Sequence, residues 1–207
     1  MNYRNYRVRE VDGAKLRKIK TFCDFLDFGV APFFKTIPKN EIWVAAELDP
    51  IDKVSGLAAG AAVLDALAAG KSEDEAVDAG EKKSRWVRSR SGQQVGKAST
   101  EDVRVMQIAR EGDLTVLLVD GSKVRNMDPN FIEGGHGYVY SYVPKNEVWI
   151  DNTLEPSEWP KVIKHEVVEL KLMRNGMSYD KAHVVATNAE YSQYSGKRKE
   201  PVTQPFS

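Results

Sequence analysis

One block of sequence occurs twice in this chain of 207 residues, and the repeat constrains the fold more than any other feature. The letters PKNEIW at 38–43 return as PKNEVW at 144–149, an offset of 106 residues. The same offset pairs leucines, prolines, glycines and serines on both sides of the block, and VDGAKLR at 11–17 matches VDGSKVR at 119–125 after a two-residue shift. A register held over this length indicates an internal duplication, so the two copies are expected to share one fold.

Each copy is predicted to be an α+β unit, in which a small sheet or β-hairpin is followed by a helical hairpin. A strand leads to the VDG turn, and the Pro-Lys-Asn-Glu block suits a type I turn between two further strands. In the second copy these strands are predicted at 138–143 and 147–151. Gly70 and Gly176 suit helix C-termini, and the serines that follow suit N-caps. The helices are therefore predicted at 50–69 and 72–88 in the first copy, and at 156–175 and 178–195 in the second.

Small residues dominate the first of these helices, which reads GLAAGAAVLDALAAG from Gly56 to Gly70. Because the distance between two packed helices depends on the side chains at their contact, this composition allows a close approach. We therefore expect this helix to pack against its second-copy counterpart, with the two copies related by pseudo-twofold symmetry.

The composition limits the classes of function. Charged residues cancel to a formal net charge of zero, which argues against wholesale binding to nucleic acid or a membrane. A single cysteine, Cys23, and the absence of a signal-peptide pattern favour a cytoplasmic protein, in the host cytoplasm if the gene is carried by a phage. The apolar run at 54–69 is short and contains Asp65, so it predicts a buried helix.

The predicted organisation is a degenerate first copy at 1–88, a basic linker at 89–112, a second copy at 113–195 and a disordered tail at 196–207.

All three histidines of the chain lie in the second copy. Positions that the fold requires should match between the copies, whereas positions that chemistry requires can differ. Three carboxylates follow the same one-sided pattern. The second-copy residues and their first-copy counterparts are His136 and Val30, His165 and Ala59, Glu166 and Gly60, Glu169 and Val63, His183 and Val77, and Glu190 and Ser84. The second copy is therefore the candidate for a metal-dependent site.

Two predicted helices of the second copy carry most of these groups. His165 and Glu169 are four residues apart in KHEVVE, so they share one helix face and could address one ion. His183 and Glu190 share a face of the next helix. At about 1.5 Å per residue from the turn near Gly176, Glu169 and His183 should lie nearly level, and His165 and Glu190 could also meet. The spacing thus predicts a cluster of two histidines and two carboxylates.

The sequence HEVVE resembles the zincin helix signature His-Glu-x-x-His, in which two helix residues bind zinc and the glutamate after the first histidine activates water. The resemblance implies that His165 is a metal ligand and Glu166 the general base. Glu169 stands where the signature has its second histidine, and a His, Glu, His set could hold zinc, manganese or iron. We expect a divalent ion, with zinc favoured, held by His165, Glu169 and His183, with Glu190 either as a fourth ligand or as a group that orients a histidine.

The GGHG loop at 134–137, the PKNE block and the helix with His-Glu also look like small proteins of bacteriophage and bacterial origin. Together the patterns predict a metal-dependent hydrolase of peptidase or amidase type, with a peptide or another small molecule as substrate. His136 or Tyr140 is expected to contact the substrate or stabilise the developing oxyanion. The alternative is a non-enzymatic phage or bacterial protein with a structural or binding role, which could contact nucleic acid through the basic linker and Trp86.

Overall fold

The computed structural model describes residues 1–22, 25–93 and 99–191. It confirms the α+β class, because each repeat contains a four-stranded mixed sheet followed by a helical hairpin. The predicted tail at 196–207 lies outside the described residues. The elements are β1 (Asn2–Tyr3), β2 (Tyr6–Val11), α1 (Gly13–Leu16), a 3-10 turn (Lys20–Phe22), β3 (Phe28–Gly29), β4 (Glu41–Ala45), α2 (Pro50–Ala68), α3 (Glu73–Arg90), β5 (Arg104–Glu111), β6 (Leu114–Val119), α4 (Gly121–Met127), β7 (Gly134–His136), β8 (Glu147–Asp151), α5 (Trp159–Arg174) and α6 (Tyr179–Tyr191). Within the described ranges, no helix combines the length and the apolar character needed to cross a bilayer.

The two sheets have the same strand order, β1-β2-β4-β3 and β5-β6-β8-β7, and in each the two inner strands are parallel. Parallel neighbours require a crossover connection, and each crossover begins with a short helix that starts at the glycine of the VDG motif. The side chains of Asp12 and Asp120 accept hydrogen bonds from the backbone N–H groups of Lys15 and Lys123, at 2.9 and 3.1 Å. The motif therefore acts as a helix N-cap in both repeats.

The prediction of a strand at 138–143 is wrong. The strand that pairs antiparallel with β8 is β7, and the segment after it forms turns. Gly137 explains the difference, because a Cβ at this position would overlap the carbonyl oxygen of Val143. The chain folds back on itself too closely here to form a ladder. The aromatic residues of the segment pack as side chains instead, with the rings of Tyr140 and Tyr142 centred 5.4 Å apart.

The residues group into two compact units that do not follow the repeat boundary. Unit 1 comprises Met1–Val103 and Asp120–Ile132, and unit 2 comprises Arg104–Val119 and Glu133–Ser207. Helix α4 of the second repeat therefore belongs to unit 1. Strand β5, which lies within the segment predicted as a linker, pairs with β6 in unit 2. The six histidines and glutamates that were predicted as site residues all belong to unit 2.

The glycines of the first helical hairpin make room for side chains of unit 1. A Cβ at Gly60 of α2 would lie 3.0 Å from the ring of Phe28 and 3.1 Å from Ile42. On α3, a Cβ at Gly80 would lie 2.8 Å from Val63 of α2. These glycines thus permit close packing of α2 on its own sheet and of α3 on α2. The pseudo-twofold arrangement of the copies stays a prediction.

A buried ionic cluster attaches α4 to the rest of unit 1. Asp52 of α2 forms an ion pair with Arg88 of α3, and its second oxygen accepts a hydrogen bond from Nη2 of Arg125 at 2.6 Å. The hydroxyl of Ser122 donates to Asp52 at 3.3 Å, and Nη1 of Arg88 donates to Oδ1 of Asn126 at 2.9 Å. Burial acts to raise the pKa of Asp52, but the charges of Arg125 and Arg88 outweigh it and hold this pKa below its ordinary value. One buried carboxylate thus forms ion pairs with guanidinium groups from both repeats.

The PKNE-Trp block makes the same hydrogen bond in both repeats. The indole Nε1 of Trp43 donates to Glu41 at 2.9 Å, and that of Trp149 donates to Glu147 at 2.8 Å. A partner is needed because a buried indole N–H without one is unfavourable. The similarity of the block between the copies is therefore explained by the fold.

Candidate metal centre

The histidine and glutamate cluster forms in unit 2, where α5, α6 and β7 meet. Helix α5 carries His165 and Glu169 one turn apart. Gly176 has a left-handed backbone, with φ of 88°, which ends α5 and returns the chain towards α6. On α6, fully buried Ala186 lies close to His183 in sequence and presents little volume to the facing helix. The helical hairpin thereby brings His183 to Glu169.

Three donor atoms converge in this cluster. Oε2 of Glu169 lies 2.8 Å from Nδ1 of His183 and 3.6 Å from Nε2 of His165. The two imidazole nitrogens are 3.3 Å apart. The estimate from the helix rise is confirmed, because Glu169 meets His183 and His165 meets Glu190, with Nδ1 of His165 2.9 Å from Oε2 of Glu190.

The spacing of the three donor atoms suits one tetrahedral ion. Ligand atoms about 2.05 Å from a tetrahedral zinc ion lie about 3.3 Å from one another. The observed separations of 2.8, 3.3 and 3.6 Å scatter around this value. An ion about 2.05 Å from all three atoms would lie about 0.8 Å out of their plane, where tetrahedral geometry requires about 0.7 Å. His165, Glu169 and His183 could therefore hold a metal ion and leave one coordination position open.

Further hydrogen bonds orient these side chains. Glu190 contacts Nδ1 of His165 with one oxygen, and its other oxygen accepts from Nζ of Lys161 at 2.8 Å. Oε1 of Glu169 lies 3.1 Å from Nε2 of His136. Glu190 therefore lies behind His165 and not among the three converging donor atoms. A carboxylate that holds the far nitrogen of a ligand histidine is common in metal sites, because it fixes the tautomer and the ring orientation.

Hydrogen bonds within the cluster shift the pKa values of Glu169 and His165 in opposite directions. Burial acts to raise the pKa of Glu169, but hydrogen bonds with His136, His165 and His183 hold it well below its ordinary range. Burial acts to lower the pKa of His165, but its bonds to Glu169 and Glu190 raise it to about 10. In the metal-free protein a proton on His165 therefore offsets the negative charge of the carboxylates beside it, and a metal ion would replace that proton.

Glu166 differs from the other carboxylates. Burial raises its pKa to about 7, against the lowering effect of His165. Its carboxylate lies within 4.8 Å of donor atoms of His136 and Glu169. Among the residues that the structure describes, no side chain donates a hydrogen bond to Glu166. This carboxylate is thus available to accept a proton.

A reciprocal exchange of large and small residues creates the space for Glu166. In repeat one, the ring of Phe28 on β3 packs against Gly60 of α2. In repeat two the corresponding positions are Gly134 on β7 and Glu166 on α5, and a Cβ at Gly134 would lie 3.2 Å from Cγ of Glu166. The pairing of Phe28 with Val44 and of Gly134 with Ile150 confirms that these positions correspond. Repeat two therefore has a polar site where repeat one has an aromatic ring.

The first repeat also shows that the fold does not need polar groups here. Val30, Ala59 and Val63, which correspond to His136, His165 and Glu169, are all buried in the first repeat. Burying charged groups is unfavourable unless they are paired, so apolar residues are the simpler solution for stability. The polar cluster of repeat two thus calls for an explanation other than folding.

The two remaining predicted site residues, His136 and Tyr140, lie in different surroundings. His136 is completely buried, with 0% exposure, and contacts Glu169. Tyr140 packs its ring against Tyr142. Sequence reasoning missed Lys161 and Gly134. Lys161 lies four residues before His165, which is the signal that could have found it, whereas the role of Gly134 depends on the exchange with Phe28.

Comparisons of this chain with models of protein families, with curated proteins and with solved structures found no match. The function is therefore argued from the chemistry of the site.

Proposed function

We propose that the second repeat is the catalytic half of a zinc-dependent hydrolase that cleaves a peptide or a related amide bond. His165, Glu169 and His183 hold the ion, and Glu166 is the general base. The observation that carries the proposal is the triangle of donor atoms, with separations of 2.8, 3.3 and 3.6 Å. The peptide or amide specificity rests on the resemblance of HEVVE to the zincin signature.

The proposed chemistry assigns each group one task. A bound zinc ion with an open position supplies Lewis acidity and lowers the pKa of a coordinated water. Glu166, with a pKa near 7, accepts the proton as the water oxygen attacks the amide carbon, and returns it to the amine that leaves. His183 is the most exposed of the three ligands, at 31% against 12% for His165, so substrate approaches from its side.

The test is metal binding by the full chain. After removal of metal with a chelator, we expect the wild type to bind one zinc ion, and cobalt in its place to give the visible absorption of tetrahedral coordination. His165→Ala should bind no ion stoichiometrically. Lys171→Ala is the matched control, because Lys171 is an exposed residue of the same helix that pairs with Glu111. Equal zinc content in wild type and His165→Ala, or none in either, would exclude the proposed site.

A second candidate is a binding protein that contacts single-stranded nucleic acid. Trp86 of α3 is 51% exposed, and Nζ of Lys83 lies 3.9 Å from the centre of its ring. An exposed aromatic ring beside cations can stack on a base while the cations contact phosphate. Titration of wild type and Trp86→Ala with a labelled oligothymidine tests this candidate, which requires salt-sensitive binding that the variant loses.

A further inference from the structure

His136 is the one histidine of the cluster with no access to solvent. Both of its ring nitrogens have partners. Nδ1 accepts a hydrogen bond from the backbone N–H of Tyr138 at 3.2 Å, and Nε2 lies 3.1 Å from Oε1 of Glu169. These two contacts determine where the ring carries its proton.

A backbone N–H can only donate, so Nδ1 of His136 must present a lone pair to Tyr138. The imidazole proton is therefore on Nε2, which donates to Oε1 of Glu169. This assignment needs no assumption about a metal, since it follows from the direction of the backbone hydrogen bond.

We propose that His136 is a positioning residue, which holds Oε1 of Glu169 and so leaves Oε2 to the zinc ion. The inference rests on the proposed function, because it assigns the two oxygens of a proposed ligand. Oε2 is the oxygen that meets His183 at 2.8 Å and His165 at 3.6 Å. Glu169 is therefore a one-oxygen ligand with a fixed orientation, and the fourth position stays open for water.

The geometry offers one competing arrangement. Donor atoms of His136, Glu166 and Glu169 also lie within 4.8 Å of one another, so this trio could hold a second ion bridged by Glu169. That arrangement would require the lone pair of Nε2 for the metal and a proton on Nδ1. The proton would then point at the N–H of Tyr138. The contact of two donors is unfavourable in a buried site, so the hydrogen bonds favour a single ion.

The experiment compares His136→Gln with His136→Leu. The amide nitrogen of glutamine can replace Nε2 as a donor to Glu169, whereas leucine has a similar volume and no donor. We expect one zinc ion in the wild type and in both variants. In a competition titration with a chromophoric chelator, the zinc affinity should fall about 10–100-fold in His136→Leu and remain near that of the wild type in His136→Gln.

The outcomes separate this inference from the proposed function. Two ions in the wild type and one in His136→Gln would identify His136 as a ligand and overturn the inference, while zinc binding itself persisted. Equal affinities in all three proteins would also overturn it. A wild type that binds no zinc would instead remove the proposed function. Melting temperatures of the metal-free proteins show whether His136→Leu is folded, and if it is not, a loss of affinity or of one ion in His136→Gln still overturns the inference.

Discussion

Replacement of Asp52 by asparagine should strongly destabilise unit 1. Asp52 is buried between Arg88 and Arg125, and it is the carboxylate that both guanidinium groups contact. Asparagine keeps the shape but removes the charge, and its NH2 group faces a donor. Breaking a buried ion pair by changing one partner costs about 3–5 kcal/mol. This is a large part of the roughly 5–15 kcal/mol that stabilises a typical domain.

Urea denaturation followed by circular dichroism measures the effect, and hydrogen exchange of peptides from unit 1 locates it. With an m-value of about 2 kcal/mol/M, the midpoint should fall by about 1.5–2.5 M. Asp65→Asn is the matched control, because Asp65 pairs with Arg4 at 2.7 Å on the surface and such pairs contribute about 0–1 kcal/mol. If Asp52→Asn unfolds within about 1 kcal/mol of Asp65→Asn, the reasoning about the buried cluster is wrong.

Three further predictions concern the pH dependence of stability, the proposed general base Glu166 and the glycine beside it, Gly134. Because the folded-state pKa of Asp52 is lowered, the stability that its carboxylate contributes is fully present above about pH 4 and is lost as pH falls towards the folded-state pKa. Between pH 7 and pH 3 the wild type should therefore lose more stability than Asp52→Asn, and urea titrations at the two pH values measure the difference. Glu166→Gln should keep one zinc ion and lose about 100–10,000-fold in hydrolysis of a peptide library, so an active variant would contradict its role as base. Gly134→Ala would bring a methyl group within 2.9 Å of the carbonyl oxygen of Trp149, and should lower both the melting temperature and the zinc affinity. Gly56→Ala, where the nearest contact is an ordinary 3.4 Å and alanine favours the helix, should lower neither.

The repeat made much of the fold predictable, because a turn or helix signal that occurs at matching positions in both copies is more reliable than one that occurs once. The four helices of the two hairpins begin and end within about three residues of the predicted positions wherever the structure describes them, whereas the short helices α1 and α4 were not predicted. The glycines at 70 and 176 mark local conformations, and such signals are carried by the residue itself. The meeting of Glu169 with His183 was also predictable, since it follows from the helix rise alone.

The features that were not predictable depend on contacts that no local sequence pattern specifies. The segment at 138–143 has aromatic residues that favour strands, but the close approach of Gly137 to Val143 prevents a ladder. The glycines of α2 led us to expect a close contact with the counterpart helix of the second copy, whereas the contact that they make within unit 1 is with the ring of Phe28. The pairing of His136 with Glu169 joins a strand to a helix, and no helical spacing relates them.

The path of the chain through the two units has a consequence for any attempt to separate the repeats. A protein cut between Val103 and Arg104 would give a first fragment that contains Asp52 but not Arg125, and a second fragment that contains Arg125 but not Asp52. Neither piece would be a faithful copy of a half. Although the sequence repeats as a segment, unit 1 contains residues of both repeats, so removal of either repeat would leave its buried ion pairs incomplete.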